Sequence, residues 1–102
     1  MRKINLLFDE DYQDVDILEV PEKIAENIES IVREFNMWLC TPGNGSRFLV
    51  ETASGKKVLA IGTKEFVWWL QNIKIKEIDG EKTVEIVKEH TTFDDSLPTA
   101  NF

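Results

Sequence analysis

Nucleophilic catalysis needs a thiol or hydroxyl held beside a base, and this chain has one cysteine, Cys40, and one histidine, His90. Cys40 falls near the predicted end of a helix, where the dipole raises a thiol pKa instead of lowering it. It reads as a small core or boundary residue. His90 stands close in sequence to Asp94, Asp95 and Ser96, the materials of a hydrolytic triad. Three neighbours on one chain end lack the rigid positioning that catalysis needs, so no catalytic residue is expected and the chain is not read as an enzyme. One His and one Cys fall short of a structural zinc set. The carboxylates Asp9, Glu10, Asp11, Asp14 and Asp16 invite a calcium reading, but an EF-hand loop begun at Asp9 needs Gly at its sixth position and Glu at its twelfth. Asp14 and Val20 stand there. Gly43-Asn44-Gly45 lacks the Lys-Ser or Lys-Thr of a phosphate loop and precedes a predicted strand. No metal and no cofactor is expected.

The elements that must carry these residues follow from hydrophobic period. Residues 4–8 read as a short buried strand. Residues 9–16 are an acidic loop, and residues 16–20 alternate in part, as a second strand would. Pro21 suits the first turn of a helix. From there to about Cys40, apolar residues at Ile24, Ile28, Ile31, Phe35 and Trp38 recur at spacings of three and four, with Glu22, Glu26, Glu29 and Arg33 opposite. Thr41-Pro42-Gly43 ends that helix. Residues 47–52 and 57–61 flank Ala53-Ser54-Gly55-Lys56 as a hairpin. Thr63, the candidate N-cap, opens a shorter helix with Phe66, Trp69, Leu70 and Ile73 on its apolar face. Residues 73–78 and 83–87 bracket Asp79-Gly80 as a second hairpin. Residues 91–102 form a tail without clear periodicity. The chain therefore reads as one α+β domain, residues 1–102, with a mainly antiparallel sheet and one long and one short helix, in the order β-(β)-α-β-β-α-β-β.

With 102 residues, 42% of them apolar, the chain has material for one packed core. Acids outnumber bases 19 to 12, and the net charge of −7 disfavours nucleic acid as a direct partner. No apolar run is long enough to span a membrane, residues 1–8 are too short for a signal-peptide core, and a lone cysteine fits a reducing compartment; a cytoplasmic protein is expected. The charge is concentrated. Between Asp9 and Ser30 nine acids meet one base, Lys23. Such a run is commonly a solvated face; its functional reading is a docking surface for a basic protein, steered by long-range attraction. The candidate partner-binding residues are Asp9, Glu10, Asp11, Tyr12, Asp14, Asp16, Glu22, Glu26 and Glu29. Trp68 joins them, because adjacent Trp69 takes the inward direction on the helix and leaves Trp68 either partly exposed or covered by the tail or by a partner, coverage by the protein itself being the plainer reading.

The stretch from Gly55 to Gln71, GKKVLAIGTKEFVWWLQ, and the ending Leu97-Pro98-Thr99-Ala100-Asn101-Phe102 resemble small immunity proteins of bacterial polymorphic and contact-dependent toxin systems. There a short strand leads through Thr into a helix of the type Phe-Val-x-Trp-Leu-Asn; Gln71 stands here in place of the commoner Asn. The resemblance covers about a third of the chain and implies a cytoplasmic, non-catalytic protein that binds one cognate toxin domain, often a basic nuclease, and neutralises it by occlusion. The rival reading is a structural or regulatory module that self-associates through an apolar patch near Trp68.

Overall fold

Ile4, Leu6 and Leu7 put apolar side chains on both faces of one strand, which suits the middle of a sheet. The computed structural model, which describes residues 1–8, 14–59, 61–78 and 84–102, places them there. Strand β1 (Arg2–Leu7) lies between β2 (Val15–Val20) and the C-terminal β6 (Thr99–Asn101), and β5 (Glu85–Thr91) pairs with the far side of β2. The order β5-β2-β1-β6 is antiparallel except between β1 and β6, which run parallel with Asn5 opposite Thr99 and Leu7 opposite Asn101. The chain is thus α+β with a mostly antiparallel sheet, as its pattern predicts.

The helical layer starts at Pro21, whose carbonyl accepts from Ile24 N at 3.0 Å and Ala25 N at 3.2 Å. The single helix expected from Pro21 to Cys40 is two: α1 (Glu22–Glu26) and α2 (Ile28–Cys40). Asn27 interrupts it with φ −116° and ψ 27°. Its Nδ2 donates to Lys23 O at 2.8 Å, and Ser30 Oγ donates to the Asn27 carbonyl at 2.9 Å. Short polar side chains compete with the helical ladder in this way. Both segments still turn one apolar face inward, burying Ile24, Ala25, Ile28, Ile31, Val32 and Phe35.

After α2 the chain forms a 3₁₀ turn (Gly45–Phe48) where the sequence suggested strand, then the expected hairpin of β3 (Leu49–Glu51) and β4 (Lys57–Leu59). Gly55 takes φ +80° in its loop. The hairpin is a separate two-stranded sheet. Helix α3 (Thr63–Trp69) runs on through a π-helical stretch (Leu70–Lys74) into α4 (Ile75–Ile78).

That run corrects the second hairpin. Residues 73–78, expected as its first strand, are helical. Ile-Lys-Ile-Lys alternates locally, but the π turn, with Ile75 N–H bonded to Leu70 O, adds one residue to the turn and brings Ile75 into the core at 4% exposure. Asp79-Gly80 lies outside the described residues. The tail is corrected too. Thr91 belongs to β5, residues 99–101 form β6, and Phe102 stacks on Phe8 at 4.3 Å and meets Phe66 edge-on at 4.8 Å. Fully buried Phe35 touches Phe66, Trp69 and Phe102, with centroids 5.2, 5.3 and 6.0 Å away, so helices and chain end share one aromatic centre.

Candidate functional site

Asp14 and Asp16 flank the start of β2, and both turn to partners remote in sequence. Asp16 Oδ1 accepts from His90 N at 3.0 Å, and its Oδ2 accepts from the Thr63 hydroxyl. One half-buried carboxylate therefore ties the end of β5 and the first residue of α3 to β2. Thr63, the candidate N-cap by sequence, is the first residue of α3; Gly62 holds the cap position, with no side-chain cap, and the Thr63 hydroxyl goes to Asp16.

His90 has φ +51°, the described non-glycine residue in the left-handed region. The β2–β5 register shifts between Val15 and Ile17, so the ladder near His90 is irregular. The turned backbone aims His90 N–H at Asp16, while its Nδ1 lies 2.6 Å from Asp14 Oδ1. The hydrogen bond to Asp14 and the Asp14 charge raise the imidazole pKa above 6.5, with Asp16 and Glu89 adding to the effect. Asp14, Asp16, Thr63 and His90 border a shallow cavity of about 250 Å³ whose apolar wall includes Leu6 and Phe8.

The sequence pointed His90 toward Asp94 and Ser96 instead. Those two bond each other: Asp94 Oδ1 accepts from Ser96 Oγ at 2.6 Å and from Ser96 N at 3.0 Å, which lowers the Asp94 pKa. The Asp14–His90 pair spans 76 positions, and no local spacing announces it.

The remaining candidates that the structure describes, Glu22, Glu26, Glu29 and Trp68, lie away from Asp14. Asp9, Glu10, Asp11 and Tyr12 lie outside the described residues. Glu22, Glu26 and Glu29 are exposed on α1 and α2, at the other end of β2, roughly 20 Å of strand from Asp14 at about 3.3 Å per residue. Glu26 and Glu29 share a groove of about 640 Å³ with Arg2 and Arg33, so that end is not uniformly acidic. Trp68 is half-buried, its ring 6.0 Å from Trp38 and 5.9 Å from Phe48. Exposed apolar side chains among the described residues include Leu49, Val50 and Val58 of the hairpin and Met37 beside Trp38 on α2.

Cys40, read as a core or boundary residue, is exposed. Among the described residues no group of three or more His, Cys, Asp and Glu is placed to hold a metal ion, and no helix is long and apolar enough to cross a membrane. Comparison of the chain with family models, with curated proteins and with solved structures gives no match.

Proposed function

We propose that the chain is a non-catalytic immunity protein, acting in the cytoplasm, that binds a cognate basic toxin domain such as a nuclease and neutralises it by occlusion. The observation that carries this reading is the exposed carboxylate of Asp14, which follows the run Asp9, Glu10, Asp11 and Tyr12 in sequence and, among the described residues, bonds the His90 imidazole. Its charge remains accessible to a partner's lysines and arginines. Asp16 has a different task. Both its oxygens are engaged within the protein, so the docking role falls on Asp14 and the residues before it.

The test is a pull-down of the product of the adjacent gene by this chain, followed by the toxin's activity assay with and without the chain. A stable complex with loss of toxin activity supports the reading. Failure to form any complex at about 10 μM of each protein refutes it, because immunity requires binding far tighter than that.

A further inference from the structure

Strand β6 ends the four-stranded sheet, and its outer edge meets a groove. Asn5 N–H donates to Pro98 O at 2.9 Å, and Phe102 N–H donates to Leu7 O at 3.0 Å. Backbone groups alternate along a strand, so residues 98, 100 and 102 turn toward β1, and the N–H and C=O of Thr99 and Asn101 turn outward. Helix α2 packs beside this edge. Between them runs the groove of about 640 Å³, bordered by Arg2, Glu26, Glu29, Arg33 and Thr99, with a continuation of about 290 Å³ toward Asn101.

The four charges are two arginines and two glutamates, all exposed, and none makes an ion pair among the described residues. On a chain of net charge −7 this face is locally neutral. A purely basic partner would meet arginines here, and a polyanion would meet glutamates. A surface carrying both signs is complementary to itself where a two-fold axis sets each charge against its opposite, residue i against j and j against i.

We infer that the chain pairs with a second copy of itself across β6, the two edge strands joining antiparallel about Ala100 and the groove charges of each copy neutralising those of the other. Centring on Ala100 sets Thr99 opposite Asn101 of the second copy and uses the outward backbone groups of both, about four inter-chain hydrogen bonds. Glu29 and Arg33 lie four residues apart on α2. Antiparallel α2 helices centred near Ile31 place Arg33 of each copy against Glu29 of the other. An unpaired sheet edge is a template for such pairing. This surface is distinct from the Asp14 end and from the hairpin, and the inference stands independently of the immunity reading.

Sedimentation velocity of the full chain from about 10 μM to about 1 mM tests it, since a small interface predicts an affinity within that range. Wild type is expected to shift from monomer to dimer across it. Arg33→Glu and Glu29→Arg, both at exposed positions, should each weaken the dimer about tenfold or more. An equimolar mixture of the two variants should form a heterodimer more readily than either variant self-associates, because opposite charges then face each other across the axis. Asn101→Pro removes an outward N–H without touching the β1 ladder and should also weaken the dimer, with circular dichroism confirming the fold. A wild type monomeric at about 1 mM overturns the inference. So does a dimer indifferent to Arg33→Glu, a mixture that fails to pair, or a dimer abolished by Val50→Asp on the hairpin while Arg33→Glu leaves it intact.

Discussion

Asn5 and Asp94, 89 positions apart, hold each other through both ends of the asparagine amide: Asn5 Nδ2 donates to Asp94 O at 2.7 Å, and Asn5 Oδ1 accepts from Asp94 N at 3.2 Å. Asn5 is fully buried in β1, the one polar residue of the described interior. Its amide serves the backbone of the turn that leads into β6 and thereby seats the last strand.

Asn5→Leu is close in volume, and it leaves the Asp94 N–H and C=O without that partner. A loss of about 1–3 kcal/mol is expected, read by urea denaturation. Asn5→Asp should cost at least as much, because a carboxylate cannot donate to the Asp94 carbonyl. A variant as stable as wild type would show that the amide does not secure the turn.

Phe35 lies fully buried against Phe66, Trp69 and Phe102. Phe35→Ala should cost about 3–5 kcal/mol as a core truncation. Ile28→Ala, on the same buried face at 6% exposure, should cost about 2–5 kcal/mol. Cys40→Ser, at an exposed position, should stay within about 0.5 kcal/mol of wild type. Denaturant midpoints at constant m-value check all three.

The Asp14–His90 pair makes stability depend on pH in a stated direction. The folded imidazole pKa is raised above 6.5, chiefly by the hydrogen bond to Asp14. The pair's contribution is therefore fully present below 6.5 and lost as pH rises through the higher folded value. The difference between wild type and Asp14→Asn should be largest on the acid side of neutrality and shrink toward alkaline pH. Asp94 behaves oppositely: its pKa is lowered from 3.8 by Ser96, so its contribution is present above 3.8 and lost as pH falls through the folded value. Denaturation series across pH, with an NMR titration of His90, separate the two. A His90 pKa at or below 6.5 would contradict the pairing.

Charge reversal separates docking from folding. Asp11→Lys with Asp14→Lys should slow association with the cognate partner at low salt, and the effect should shrink near 0.15 M, where charges beyond about 8 Å are screened. Asp16→Lys should instead destabilise the fold, because it removes the acceptor shared by Thr63 and His90. An association rate unchanged by the double variant at low salt would refute docking through the acidic segment. His90→Ala should retain neutralising activity; its loss in a folded variant would argue for a direct role of that imidazole.

Residues 16–20, 28–40, the hairpin and 63–70 were legible in the sequence, because burying one side of a strand or helix leaves a period of two or of 3.6. The acidic character of residues 9–16 was legible for a different reason: charge density is a property of local composition. Local pattern failed where a distant contact chose between alternatives of similar local merit. Residues 73–78 alternate like a strand, yet the core site that receives Ile75 makes them helical. Residues 99–101 show no useful period, yet Asn5 and the free side of β1 make them a strand. Asn27 divides a continuous apolar stripe through a side-chain bond that period does not register. His90 has acidic neighbours in sequence and bonds Asp14 and Asp16 at the start of β2 instead, because a left-handed backbone turn at the β2–β5 irregularity aims it there. Local pattern specifies which face of a segment avoids water; which partner meets that face, and which carboxylates stay free for another molecule, is decided when segments far apart in the chain are packed together.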